Sequence, residues 1–282
     1  MLTLQQKQLS DQPIKRLPTA ISTNTNPKAH LDVAAKQYAD SGYSHIELQV
    51  EHGAINNIEN PRVVCGLTHL RQLYPKLKFS GHASYKKTDL ADSNEIVRQK
   101  SVARVKKEID FFKEFDVKLL TLHTGRGNSG TNFDKLCRSV EGLVAYSDTL
   151  DMTICVETAG RDGFLLLTAD EYGKLAERTG CKLTLDLPHL MTTNPNNFWE
   201  DLDQLISLAG NLHLSDTFVP HHLHNPIGFG NFVNEDLICF LFERGYEGQI
   251  VIDAAEKAYS PEMYQNQGIA FCDSLSQYLT LG

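Results

Sequence analysis

Apolar positions along the chain fall into two alternating registers. Short runs rich in β-branched residues read as strands at Leu17–Thr23, Ser44–Val50, Lys78–Ser84, Val117–Thr124, Met152–Thr158, Lys182–Leu187, Asn211–Asp216 and Gln249–Ala254. Between them, apolar residues recur at helical spacing near Lys28–Ser41, Pro61–Tyr74, Asn94–Phe115, Asn132–Thr149, Ala169–Thr179, Asn197–Leu208, Asn234–Arg244 and Pro261–Tyr278. This is the order of consecutive βα units, and eight of them predict an α/β protein with a single (β/α)8 TIM barrel. The runs Met152–Val156 and Ile250–Ile252 are nearly continuous, as strands buried on both faces should be. Thr168 followed by Glu171 has the spacing of a capping box. Gly42, Gly180, Gly210 and Gly245 each follow a helical stretch, where a left-handed residue is expected to end the helix. No linker divides the chain, so residues 1–282 are expected to form one domain, with 1–16 as an N-terminal extension.

Composition narrows the class. An apolar fraction of 41% over 282 residues supports a large core. No apolar stretch approaches the roughly 18 residues of a membrane helix, and Met1 to Arg16 lacks the apolar segment of a signal peptide. A cytoplasmic protein without a membrane partner is expected. The cysteines Cys65, Cys137, Cys155, Cys181, Cys239 and Cys272 are scattered and form no Cys-x-x-Cys pair, which argues against a disulfide framework and against a thiolate zinc site. A net charge of −8 disfavours a general affinity for nucleic acid. The most basic stretch, Arg98 to Lys107, reads as a solvated helix face.

The chemistry lies at the strand ends. His82, His123, Glu157, Asp186, His213 and Asp253 close successive strands from the third to the eighth or lie just past them, where such barrels keep their active sites. His189 follows Asp186 by three residues, and His222 and His224 lie in the loop after the seventh strand, spaced to share one face of an extended segment. Imidazoles with carboxylates and without thiolates suit zinc, manganese or iron. On this reading Glu157 bridges two ions, His82 and His123 hold one, and Asp186, His213 and Asp253 hold another. His189, His222 and His224 would hold a third, so one to three divalent ions are expected, with His221 an alternative to His222. Glu47, inside the second strand, reads as either a buried hydrogen-bond acceptor or a substrate contact, and it is left out of the ligand set.

In this order the motifs resemble the xylose-isomerase-like barrel superfamily, which includes sugar-phosphate isomerases and epimerases, endonuclease IV and multinuclear iron oxidases. The resemblance runs from Leu17 to Asp253 through Gly81-His82-Ala83-Ser84-Tyr85, Leu122-His123-Thr124-Gly125, Val156-Glu157-Thr158-Ala159-Gly160 and Leu185-Asp186-Leu187-Pro188-His189. It continues in His213-Leu214-Ser215-Asp216, in His224-Asn225-Pro226-Ile227-Gly228-Phe229-Gly230-Asn231 and in Ile250-Val251-Ile252-Asp253.

The isomerase and epimerase branch implies one metal on Glu157, Asp186, His213 and Asp253, with Glu157 and Asp253 as catalytic carboxylates that shuttle a proton. The chain carries Asp253 where that branch usually has Glu, which shortens one arm by a methylene. The endonuclease IV branch implies three zinc ions on His82, His123, Glu157, Asp186, His189, His213, His224 and Asp253, with His222 where an Asp is usual. The loop from Glu51 to Asn57 offers no Arg or aromatic wedge for DNA. The iron-oxidase branch implies an overlapping ligand set with a peptide or thiol substrate. A metal-dependent isomerase or epimerase of a small sugar-like or phosphorylated metabolite is therefore the leading expectation.

Overall fold

The computed structural model describes residues 19–51, 57–126, 129–160, 165, 167–219, 224–233, 235–254 and 259–281. Eight strands, β1 (Thr19–Ser22), β2 (His45–Gln49), β3 (Lys78–His82), β4 (Leu119–Leu122), β5 (Thr153–Glu157), β6 (Lys182–Asp186), β7 (Ala209–Leu214) and β8 (Gln249–Ile252), pair in parallel and in chain order. β1 also pairs with β8, which closes the sheet into a barrel. The intervening helices are α1 (Leu31–Asp40), α2 (Pro61–Leu73), α3 (Glu95–Glu114), α4 (Ser129–Asp148), α5 (Ala169–Thr179), α6 (Leu187–Thr193), α7 (Phe198–Leu205), α8 (Glu235–Glu243) and α9 (Pro261–Leu281). The expected (β/α)8 barrel is therefore the observed fold. No described helix is long and apolar enough to cross a membrane.

Strand periodicity separates two chemistries. One set of alternate positions (Ile46, Leu48, Phe79, Leu120, Leu122, Ile154, Val156, Leu183, Leu185, Leu212, Leu214, Ile250 and Ile252) joins the helices' apolar faces in the buried core. The other set faces the barrel axis and is polar at several levels. Thr121 and Thr184 hydrogen-bond across it at 2.9 Å, Asn211 reaches Thr121 at 3.4 Å and Glu47 at 3.3 Å, and Gln249 donates to Ser80 at 2.9 Å. His82, Glu157, Asp186 and His213 stand two residues beyond Ser80, Cys155, Thr184 and Asn211, in the same inward phase. A polar floor thus lies beneath the metal-ligand candidates.

Three local expectations are corrected. Helix α6 was not anticipated as a separate element. Asp186 caps it by accepting from the His189 amide at 2.8 Å, and Pro188 sits in its first turn, where a missing N–H costs nothing. The Asp-x-x-His spacing is therefore also a helix-cap spacing. Gly210 does not end a helix but lies within β7, where an added Cβ would stand 3.0 Å from the Cys155 sulfur. Arg98 is buried rather than solvated: it donates to Ser139 on α4 at 2.7 Å and pairs with Glu95 at 2.9 Å, binding α3 to its neighbour.

The expected capping box is present on α5. Thr168 Oγ1 accepts from the Glu171 amide at 3.2 Å, and Glu171 accepts from the Thr168 amide at 2.8 Å. Gly180 ends the same helix at φ 75°. Thr168→Ala is expected to lower unfolding stability by about 1 kcal/mol in urea titration, and an unchanged midpoint would refute the cap's contribution.

Candidate metal centre

The site is organised around Glu157 at the C-terminal end of β5. Its Oε2 lies 3.2 Å from His82 Nε2 and 2.9 Å from His123 Nε2, while its Oε1 lies 3.3 Å from His213 Nδ1. Three imidazoles, rather than Lys or Arg, surround this buried carboxylate. His82 is the last residue of β3, and His123 follows β4 directly. Beside His82, Gly81 faces the other way, where a Cβ would come within 2.9 Å of Leu120 and 3.0 Å of Phe112, so the lack of a side chain lets α3 pack close on β3. The His82 Nδ1 lies 3.0 Å from the Ala83 carbonyl, which turns Nε2 toward Glu157. Tyr85 stacks on His123 with ring centroids 4.7 Å apart.

Asp253 follows β8, lies 3.8 Å from His213 Nδ1 and accepts from Asn24 Nδ2 at 3.2 Å. His189 sits in α6 with Nδ1 3.4 Å from Asp186 Oδ1 and 3.2 Å from the Thr158 carbonyl. Gly160 leaves the room for it, since a Cβ there would fall 2.8 Å from the imidazole. His224 meets His189 edge to face at 5.2 Å, and its Nδ1 lies 3.0 Å from Ser215 Oγ. His222 and the alternative His221 lie outside the described residues.

The loop carrying His224 is held by one carboxylate. Asp216 accepts from the amides of Thr217, Gly228, Gly230, Phe232 and Val233 at 2.9 to 3.2 Å. An antiparallel bridge from Asp216 to Asn225 completes the clamp. The Asp of the seventh-strand motif is therefore an anchor for the loop.

Two donor groups have ligand atoms within 4.8 Å of one another: His82, His123 and Glu157, and Glu157, Asp186 and His213. Tetrahedral coordination at zinc distances places ligand atoms roughly 3.3 Å apart. The separations of 2.9 to 3.3 Å about Glu157 are hydrogen-bond distances that lie at or below that edge, so the donors are already gathered closely enough for an ion to replace their shared protons. The nitrogen and oxygen donors thus fit one or two divalent ions, with Glu157 common to both groups. Among the described residues, His189 and His224 do not complete a third such group.

Electrostatics points the same way. Burial by itself would raise Glu157, but the charges and hydrogen bonds of His123 and His213 hold its carboxyl well below the usual range. Burial opposes protonation of His82, yet Glu157 outweighs it and raises that imidazole to about 9. His213 is likewise raised against its burial, by Glu47 and Glu157. Burial lifts Asp186 to about 7 against the pull of His224, with the charge of Glu157 adding to the lift. Protons thus occupy positions that a divalent cation would take over on binding.

Asn24 and Glu108 carried no signal in the sequence, whereas Glu47 was singled out there and left out of the ligand set. Asn24 lies in a short turn after β1. Glu47 stood in the inward phase of β2, which could have drawn it into the site, since His213 Nε2 approaches it at 3.3 Å. Glu108, on α3, accepts from the Ser84 amide at 3.1 Å and from the Ser84 hydroxyl, bracing the turn after His82.

Burial pushes Glu108 up to about 7 against these two bonds from Ser84. The native state then holds a proton that the unfolded chain releases near its ordinary value. The associated stability is complete below about pH 4.3 and is lost as pH rises through 7. Relative to wild type, Glu108→Gln is expected to gain on the order of 2 kcal/mol of stability between pH 4.5 and 7.5. A difference in urea midpoint that does not vary with pH would refute this.

The comparisons agree with this geometry. Residues 35–275 match the family described as xylose isomerase-like TIM barrel. No curated protein matches the sequence. Among solved structures, a D-tagatose 3-epimerase-like protein superposes with a TM-score of 0.79 at 20% identity, covering 93% of this chain and 98% of that one. A D-psicose 3-epimerase gives 0.73 at 16% identity, covering 94% and 100%. The 3-keto-D-glucoside 4-epimerase of E. coli gives 0.71 at 14% identity, covering 92% and 99%. With the family match spanning most of its length and every strand of the barrel in place, the chain belongs to the xylose isomerase-like TIM barrel family.

Proposed function

We propose that this protein is a metal-dependent isomerase or epimerase of a small sugar-like or phosphorylated metabolite, acting in the cytoplasm. One observation carries the reading: Glu157 Oε1 and Asp253 Oδ2 both approach the same nitrogen, His213 Nδ1, at 3.3 and 3.8 Å. Two carboxylates therefore converge on one donor group, an arrangement suited to moving a proton off and onto a carbon beside a carbonyl. Glu157, Asp186, His213 and Asp253 would hold the ion. A bound divalent cation supplies Lewis-acid polarisation of the carbonyl and orients the adjacent hydroxyl.

The remaining work falls to the side chains. One carboxylate removes the proton next to the carbonyl, and the electron pair moves into an enediolate. The other returns a proton to the opposite face for epimerisation, or to the neighbouring carbon for isomerisation. Asn24 holds Asp253 from behind, which steadies an arm one methylene shorter than Glu. The solved relatives named for D-tagatose and D-psicose epimerisation make ketohexoses the first probes.

A second reading, phosphoester hydrolysis on the endonuclease IV plan, is favoured by the two faces of Glu157. One oxygen meets His82 and His123 and the other meets His213, as a carboxylate bridging two ions would.

Elemental analysis of protein purified without added metal, with turnover in deuterated water, separates the two. The isomerase reading expects bound divalent metal and deuterium incorporation beside the carbonyl of D-fructose, D-tagatose, D-psicose or their phosphates. Glu157→Gln and Asp253→Asn are each expected to slow exchange by about 10²-fold or more. Two or more ions with phosphodiester cleavage and no carbon exchange would move the assignment to the hydrolase. Oxygen uptake by an iron-loaded sample would move it to an oxidase. If Glu157→Gln keeps both metal content and activity, the site itself is misassigned.

A further inference from the structure

Glu47 belongs to neither donor group, yet its side chain is wholly buried at the floor of the site. We propose that Glu47 is the positioning residue of the metal centre, holding His213 through Nε2 so that Nδ1 is the nitrogen offered to the ion. The proposal rests on the metal-dependent reading above and extends it to a residue outside the ligand set.

The two nitrogens of His213 face different partners. Nδ1 looks toward Glu157 Oε1 at 3.3 Å and Asp253 Oδ2 at 3.8 Å. Nε2 looks toward Glu47, with both carboxylate oxygens at 3.3 Å. A neutral imidazole carries one N–H, and an ionised carboxylate only accepts. Without metal, each nitrogen can donate to the carboxylate it faces; when an ion binds among Glu157, Asp253 and His213, Nδ1 is the nitrogen on that side and gives up its proton, while Nε2 keeps its N–H and donates to Glu47.

Glu47 is itself fixed. Asn211, two residues before His213 on β7, donates to Glu47 Oε2 at 3.3 Å and to Thr121 at 3.4 Å, tying the carboxylate to the polar floor. The His82 ring lies against His213 at 5.7 Å and 22°, which limits rotation of the imidazole. A role in substrate contact does not fit this position, because Glu47 is 0% exposed and the imidazole of His213 stands between it and the Glu157 and Asp253 carboxylates. An unpaired carboxylate is costly to bury, and the His213 Nε2 and Asn211 Nδ2 groups at 3.3 Å offset that cost at Oε2.

The test uses the full chain and Zn²⁺ alone. Zinc affinity is measured by chelator competition for wild type, Glu47→Gln, Glu47→Ala and Glu157→Gln, with thermal melts as the control for folding. Nitrogen-15 NMR of histidine-labelled, zinc-loaded wild type reads the proton position on His213. The expected result is a proton on Nε2 and none on Nδ1. Zinc affinity is expected to fall about 10- to 100-fold in Glu47→Ala and by less in Glu47→Gln, whose amide oxygen still accepts from Nε2. Wild-type affinity in both folded variants, or a proton on Nδ1, would overturn the proposal while leaving the metal centre intact. If a variant fails to fold, the wild-type spectrum decides alone. Wild-type protein that binds zinc no better than Glu157→Gln would instead overturn the metal-dependent reading, and this proposal with it.

Discussion

The centre of this protein depends on one buried carboxylate shared by three imidazoles. Glu157 meets His82 and His123 through one oxygen and His213 through the other, at 2.9 to 3.3 Å and with almost no exposure to solvent. Stripped of counter-charge, such a carboxylate would be strongly disfavoured in the barrel interior. Imidazolium protons can satisfy it in one state and divalent cations in another, so the same geometry that stabilises the metal-free protein also prepares it for metal. The opposed shifts of Glu157 and of His82 and His213 express that competition.

Around this core, the barrel supplies position rather than chemistry. Closure of the sheet in chain order brings strand ends far apart in sequence to one level, and the period-two alternation sends one set of residues to the helices and the other to the axis. The axial set is layered. A polar floor of Glu47, Thr121, Thr184 and Asn211 lies beneath the imidazoles and carboxylates of the mouth. Second partners then hold the imidazoles from outside: Ala83 on His82, Thr158 on His189, and the Ser84 to Glu108 pair beside β3. Fixing one nitrogen of an imidazole selects which nitrogen is left to face the site.

Much of this was legible in the chain. The eight strands and their order follow from apolar runs and helical spacing, because a closed parallel barrel imposes the same repeating unit throughout. His82, His123, Glu157, Asp186, His213 and Asp253 could be read as one site, since each closes a strand or lies just past one and such barrels open at a single end. Other features resisted reading. Arg98 looked like part of a charged helix face but packs into the α3–α4 interface, where Ser139 and Glu95 satisfy it. The Asp186-x-x-His189 spacing concealed a helix cap inside what looked like a pair of ligands.

Two residues mark the boundary between the levels. Asp253, read as a ligand from its place after the eighth strand, depends on Asn24 from the opposite end of the chain, a pairing that exists only once β1 and β8 meet. Glu47, set aside as a ligand, is connected to the centre through His213, 166 residues away along the chain. The sequence by itself determined the repeating unit, the metal-type donor set and the face on which it gathers, because periodicity and residue chemistry are local properties. The tertiary structure alone decided which oxygen of Glu157 each imidazole meets, which carboxylate each nitrogen of His213 faces, and what lies behind each candidate ligand. Those are distances across a closed barrel, and they have no counterpart in the spacing of residues along the chain.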